Sequence, residues 1–79
     1  MTKEEIFGQI REMLVNQLGL DETDVTLEAS FQDDLDADSL DLVEMIMEME
    51  DKFSVKISDA EAEKIRTVGQ AVDFVAARV

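Results

Sequence analysis

The feature that most constrains the fold of this chain is a helix-starting pattern that occurs three times. In each copy, Ser or Thr is followed three residues later by Glu or Gln, and apolar residues follow at helical spacing. The first side chain can accept a hydrogen bond from the backbone of the later residue, whose own side chain accepts one in return. The copies begin at Thr2, Ser58 and Thr67, and each predicts the start of a helix.

A further helix is predicted between residues 39 and 53. Its core-facing stripe has the spacing i, i+4, i+7, i+11 and comprises Leu42, Ile46, Met49 and Phe53. The predicted helices cover about residues 3–17, 39–53 and 58–64, and a last helix continues from residue 67 to Val79. No proline or strand-like alternation interrupts them. We therefore expect one all-α domain over residues 1–79, a small four-helix bundle with three longer helices and one short helix.

A long loop, residues 20–37, joins the first two helices of this predicted bundle. Structureless connections of that length are uncommon in small domains. The segment is rich in Asp, Glu, Thr and Ser but also contains Val25, Leu27, Phe31 and Leu35. We expect these apolar side chains to pin the loop across the helix ends, with Phe31 in the core.

Charge and missing residue types exclude several classes of function. Twenty acidic against seven basic residues give a net charge of −13, which repels nucleic acid and anionic membrane surfaces and favours basic partners. The chain has no Cys and no His, so the usual thiolate nucleophile, general base and transition-metal ligands are missing. No apolar run is long enough to span a membrane, and we expect a cytoplasmic protein.

The acidic segment before the second helix raises the question of a calcium site. Three aspartates fall at positions 1, 3 and 5 of an EF-hand loop, and these are Asp34, Asp36 and Asp38. That loop also requires Gly at position 6 and Glu at position 12, where this chain has Ser39 and Met45. We therefore expect no dedicated metal site.

Ser39 has two interpretations on local chemistry alone. A serine before an apolar helical run is an ordinary N-cap. A hydroxyl exposed at a helix N-terminus would also suit attachment of a phosphodiester, because unpaired backbone N–H groups favour an anion there. Neighbouring carboxylates oppose that anion, so we hypothesise that a divalent cation assists the modification, with Asp38 as a candidate ligand. The same carboxylates disfavour a hydrolytic role for Ser39, since an oxyanion would develop beside them.

The second helix also carries more apolar surface than a small bundle can bury. A further apolar stripe comprises Leu40, Val43 and Met47, and together with the core-facing stripe it spans about 180° of the helix. An acidic stripe elsewhere on the cylinder comprises Asp41, Glu44, Glu48 and Asp51. We therefore expect this helix to leave apolar side chains exposed next to a row of carboxylates.

These motifs, taken in order, resemble an acyl carrier protein of the bacterial stand-alone type over essentially the whole chain. The matching segments are 31–35, 38–41, 43–47, 50–53, 57–59, 62–65 and 67–69. Asp36 stands where Gly is common in the bacterial fatty-acid proteins, and Ser58 stands where Pro is frequent. Lys56 interrupts an otherwise acidic segment. The departures leave the Asp-Ser-Leu motif at residues 38–40 intact.

The resemblance implies a carrier rather than an enzyme. It implies that a phosphopantetheinyl transferase attaches 4′-phosphopantetheine to Ser39, beside Asp38, and that the arm then holds acyl groups as thioesters. The implied partners are acyl transferases, ketosynthases, reductases and dehydratases with basic docking patches, acting in fatty-acid or related polyketide and lipid biosynthesis. We expect the carrier to be a monomer.

The resemblance also implies two functional surfaces. The partner-binding residues would be Leu40, Asp41, Val43, Glu44, Met47 and Glu48. The acyl-chain pocket would be lined by Phe31, Met45, Ile46, Met49, Ile57, Ala62 and Ile65. The alternative from another class is an acidic protein-interaction module without a prosthetic group, in which Ser39 is only a helix cap.

Overall fold

The helices begin where the capping patterns predict them. The computed structural model describes all 79 residues and contains α1 (Lys3–Leu18), α2 (Ser39–Phe53), α3 (Asp59–Lys64) and α4 (Val68–Ala76). Thr2 Oγ1 accepts from the Glu5 N–H at 3.2 Å, and Glu5 Oε1 accepts from the Thr2 N–H at 3.0 Å. Reciprocal bonds of the same kind precede α3 at Ser58 and α4 at Thr67. The predicted all-α architecture of three longer helices and one short helix is confirmed.

The helix ends follow from local backbone preferences and from burial. α1 stops at Gly19, whose φ of 67° is left-handed and whose N–H donates to Val15 O at 3.0 Å. α4 stops at Ala76, so the prediction that it continues to Val79 was wrong. Val79 is 51% exposed, so burial of its side chain adds little to stabilise another helical turn.

The core lies where α1 meets α4 and α2. All 19 buried residues are hydrophobic, and α2 contributes Met45, Met49 and Phe53 at i, i+4 and i+8. Of the predicted core stripe of α2, Met49 and Phe53 are buried, whereas Leu42 and Ile46 are half-buried and pack against the core. These two side chains line a cleft beside the core. None of the helices has the length and apolar character that a membrane span requires.

The long loop between α1 and α2 is pinned by apolar side chains, as predicted. Val25, Phe31 and Leu35 are buried, and Phe31 is only 1% exposed. A 3₁₀ turn at Glu22–Asp24 adds regular structure near the start of this connection. Leu27 is 47% exposed, so the prediction that its side chain anchors the loop was wrong. Leu27 contributes through its backbone instead.

Backbone hydrogen bonds fasten the loop to the start of α4. The Gly69 N–H donates to Leu27 O at 2.8 Å, and the Phe31 N–H donates to Arg66 O at 3.0 Å. A Cβ atom on residue 69 would lie 2.9 Å from Leu27 O, closer than real Cβ contacts allow, so this position requires glycine. The loop leads directly into α2, and these bonds therefore help to fix where α2 begins.

Candidate functional site

Ser39 occupies the first turn of α2, where its side chain is exposed. The N-cap of this helix is Asp38, whose Oδ1 accepts from the Asp41 N–H at 2.9 Å. In return, Asp41 Oδ2 accepts from the Asp38 N–H at 3.2 Å. The interpretation of Ser39 as the cap was therefore wrong: the aspartate before it caps the helix, and the serine hydroxyl has no role in starting α2.

The turn before Ser39 is held in place by alternating burial. Leu35 and Ala37 are buried at 3% and 6% exposure, whereas Asp36 between them is exposed. Asp36 has a φ of 55°, a left-handed conformation that Asp adopts more readily than most residues. The Ala37 N–H donates to Phe31 O at 2.8 Å, which closes the turn. This geometry presents the start of α2 on the surface above a fixed part of the loop.

The backbone at the start of α2 leaves donors available to an anion. The Asp41 N–H is taken by Asp38 Oδ1, and the Leu42 N–H donates to Asp38 O at 3.0 Å. The N–H groups of Ser39 and Leu40 precede the first intrahelical bond and have no partner within the helix. No group of three or more carboxylates in the structure is arranged to hold a metal ion. The candidate role of Asp38 toward a cation during modification stays a prediction.

The outer face of α2 is apolar and acidic. Leu40, Val43 and Met47 are 66%, 54% and 60% exposed, far above what a core residue shows. The carboxylates of Glu44 and Glu48 lie exposed on the same helix. We call these five residues the outer face of α2. They belong to the set that the family resemblance implied for partner binding.

Asp41, the remaining member of that set, is half-buried and differs from the others in its surroundings. Its carboxylate belongs to the cap of α2, and its backbone oxygen accepts from Gln17 Nε2 at 2.8 Å. The Gln17 contact ties the C-terminal end of α1 to the beginning of α2. Asp41 is therefore partly a structural residue, which sequence spacing alone did not indicate.

A cleft of about 840 Å³ lies between α2, α3 and the loop around Phe31. Its lining includes Ser39 and five of the seven residues predicted for an acyl pocket: Phe31, Met45, Ile46, Ile57 and Ala62. The other two predicted residues, Met49 and Ile65, are buried in the core and do not line the cleft. The cleft is thus continuous from the start of α2 to the inner side of α3.

Sequence reasoning missed Leu42 and Glu50 as cleft residues. Leu42 was assigned to the core, although its place one turn before Ile46 puts both side chains on the same side of α2. Glu50 stands one turn after Ile46, and its Oε2 accepts from the Ile57 N–H at 2.9 Å. The i, i+4 spacing of these three residues is the signal that could have identified this side of the helix.

α3 forms one wall of the cleft and is fixed from both sides. Glu50 holds the segment before it, and Glu61 on α3 forms an ion pair with Arg78 near the C-terminus. The Ser58 N–H, which donates to Glu61 Oε1 at 3.2 Å, lowers the pKa of the Glu61 carboxyl below its ordinary value of 4.5. The Ser58 hydroxyl and Arg78 lower this pKa further, against the desolvation that raises it. Glu61 therefore supports the wall of the cleft in its ionised form.

Comparisons with known proteins bear on this site. Residues 8–75 match the family described as "Phosphopantetheine attachment site", and this segment contains Ser39, α2 and α3. The chain is 59% identical over 75 residues to an acyl carrier protein of Rubrobacter xylanophilus, which covers 95% of this chain and 93% of that protein. A solved structure of acyl carrier protein from Enterococcus faecalis matches with a TM-score of 0.85 and 39% identity, covering 100% of both chains.

Proposed function

This chain belongs to the acyl carrier protein family, and from that identity we propose that Ser39 bears the 4′-phosphopantetheine arm. The observation that carries the proposal is the free, exposed hydroxyl of Ser39 in the first turn of a helix that Asp38 already caps. The protein is a carrier and not an enzyme. Its residues supply the acceptor oxygen and the surfaces that other enzymes use.

The other serines support this choice by their contacts. Ser30 Oγ accepts from the Asp33 N–H at 3.3 Å, and Ser58 Oγ accepts from the Glu61 N–H at 3.2 Å. Ser54 is exposed, but it lies at the C-terminal end of α2, where the helix dipole disfavours an anion. Ser39 is the one serine whose hydroxyl is exposed at a helix N-terminus and is not used as a cap.

The start of α2 fits a phosphodiester. The unpaired N–H groups of Ser39 and Leu40 are donors for phosphate oxygens, and the positive end of the helix dipole favours the added charge. During attachment the Ser39 oxygen forms the bond to phosphorus, its proton leaves to a base of the transferase, and the nucleotide part of coenzyme A departs. The bound arm supplies a thiol on which acyl groups are held as thioesters.

We propose that the cleft between α2 and α3 shelters the acyl chain. Ser39 and apolar side chains of α2 share its lining, so a chain tethered at Ser39 has an apolar surface within reach. Leu42 and Ile46 are half-buried, which leaves apolar area that a cargo could cover. Each methylene that leaves water for such a surface stabilises the sheltered state by about 0.8 kcal/mol. Longer acyl chains should therefore occupy the cleft more fully.

The outer face of α2 is the proposed docking surface for partner enzymes. Its carboxylates attract basic patches and speed encounter, while Leu40, Val43 and Met47 provide a small apolar contact that allows rapid release. The proposed partners are the phosphopantetheinyl transferase and the acyl transferases, ketosynthases, reductases and dehydratases of fatty-acid or related biosynthesis. A net charge of −13 opposes self-association, which supports a monomer. The absence of Cys fits a reducing compartment, and we propose the cytoplasm.

The mass of the intact chain tests the attachment site. Incubation with a phosphopantetheinyl transferase, Mg²⁺ and coenzyme A should add one phosphopantetheine to the wild type and none to Ser39→Ala. Ser54→Ala is the matched control, because it removes the exposed serine that follows the C-terminal end of α2 and should be modified like the wild type. An unchanged wild-type mass, under conditions that modify another acyl carrier protein, would refute the proposal and favour an acidic interaction module without a prosthetic group.

A further inference from the structure

The methionines of this chain fall into two groups that differ sharply in exposure. Met13, Met45 and Met49 are between 0% and 4% exposed and belong to the core. Met47 is 60% exposed in the middle of α2, and Met1 is 59% exposed at the N-terminus. Met47 is thus the one internal methionine whose thioether is open to solvent.

Met47 also borders two depressions of the protein surface. It lines the cleft between α2 and α3, and it lines a second groove of about 510 Å³ between α1 and α2. On the outer face of α2, Val43 stands one turn before it, and the exposed carboxylates of Glu44 and Glu48 flank it in sequence. Met47 is one of the three apolar residues of the proposed docking surface, so any change in its polarity alters that surface.

We propose that Met47 is a site of reversible oxidation and that its sulfoxide weakens the docking of partner enzymes. A hydroperoxide is the oxidant: the thioether sulfur attacks one peroxide oxygen, the O–O bond breaks, and the other oxygen leaves as water or an alcohol. The sulfur gains one oxygen and is oxidised by two electrons, while the peroxide is reduced by two. Methionine sulfoxide reductases return the sulfoxide to the thioether with two electrons from thiols, and the oxygen leaves as water.

The consequence follows from what a sulfoxide changes. A thioether is apolar and adaptable, so it packs well against varied partner surfaces, whereas a sulfoxide is strongly polar and must be desolvated on docking. The buried methionines are protected, because an oxidant reaches them only when the fold opens locally or globally. The location of the oxidation depends only on exposure, and its effect on docking rests on the proposed function.

The test treats the holo protein and the apo protein with hydrogen peroxide and maps the oxidised peptides by mass. Met1 and Met47 should be oxidised at least about 10-fold faster than Met13, Met45 and Met49, since opening limits the buried residues. The KM of treated apo protein for the phosphopantetheinyl transferase should rise about 3- to 10-fold over its own untreated sample, the range expected for loss of one apolar contact. Methionine sulfoxide reductase with a thiol reductant should reverse the change.

Met47→Leu supplies the comparison that isolates this residue. Each protein is compared with its own untreated sample, so any effect of the substitution itself cancels. Met1 is oxidised in both proteins, and the treated-to-untreated KM ratio of Met47→Leu should stay near one. Equal oxidation of Met45 and Met47, or the same KM ratio in wild type and Met47→Leu, would overturn the proposal. If the untreated wild type gains no prosthetic group, the attachment proposal and the docking effect both fall, and the peptide map alone decides the oxidation site.

Discussion

Replacing Gly69 by alanine should destabilise the fold, although alanine is the better helix former. The added Cβ would lie 2.9 Å from Leu27 O, and that carbonyl already accepts the Gly69 N–H at 2.8 Å. The neighbouring atom is backbone, so it cannot rotate away as a flexible side chain would. Either the hydrogen bond lengthens or the loop around Leu27 shifts away from α4.

The size of the effect follows from two opposing contributions. Loss of a well-formed backbone hydrogen bond with its donor left partly buried costs about 1–3 kcal/mol. The gain in helix propensity from Gly to Ala is at most about 1 kcal/mol in a helix interior, and Gly69 lies in the first turn. We therefore expect a net loss of about 1–2 kcal/mol, which for a domain of this size lowers Tm by roughly 4–16 °C.

Gly8→Ala is the matched control in the same protein. Gly8 lies inside α1, and a Cβ atom there would meet nothing within 4 Å. This substitution should stabilise the protein by about 0.5–1 kcal/mol, because only the helix propensity changes. Thermal and urea unfolding followed by circular dichroism would give both values. If Gly69→Ala is as stable as Gly8→Ala, the close approach of Leu27 does not constrain the fold and the reasoning is wrong.

Three further predictions concern the loop, the partner surface and the acid range. Asp36→Gly should raise Tm more than Asp36→Asn, because both remove a charge but only glycine adopts a φ of 55° without strain. An equal rise in Tm for both variants, measured by thermal unfolding, would show that the lost charge alone causes the effect. Glu48→Lys should raise the KM for a partner enzyme at low salt, and much of this increase should disappear at high salt. Glu28→Lys makes the same charge change at another exposed position and should raise the KM less. Similar KM increases in both variants would contradict a special role for α2 in docking. Because its folded pKa is lowered, Glu61 contributes stability above its ordinary pKa of 4.5 that is lost as pH falls through the folded value. Glu61→Gln should therefore have a lower Tm than wild type at pH 7 and the same Tm at a pH below the pKa of Glu61 in the folded protein. A Tm difference that stays constant across this pH range would contradict the stabilising role of the Glu61 carboxylate.

The parts of the fold that depend on residues close in sequence could be predicted. Capping residues act over three positions, so the starts of α1, α3 and α4 were readable from Thr2, Ser58 and Thr67. The same logic applies at α2, but several consecutive residues there can serve as a cap. Both Asp38 and Ser39 are good N-caps by type, and in the structure Asp38 is the cap, with Asp41 three residues later completing the reciprocal pair.

The parts that depend on distant contacts could not be predicted with the same accuracy. Leu42 and Ile46 have the spacing of core residues, but α2 is rotated so that Met45, Met49 and Phe53 face inward. This rotation is set by packing against α1, which periodicity does not contain. The prediction for Leu27 was wrong for a related reason: its backbone, not its side chain, makes the contact with Gly69. The cleft itself exists only once α3 lies opposite α2.

The capping box at the start of α2 separates the stability of the helix from the chemistry of the serine beside it. Asp38 and Asp41 satisfy each other, so the helix does not depend on the state of the Ser39 oxygen. Under the proposed attachment at Ser39, α2 therefore forms before the arm is added, and the transferase would meet a folded surface rather than a folding intermediate.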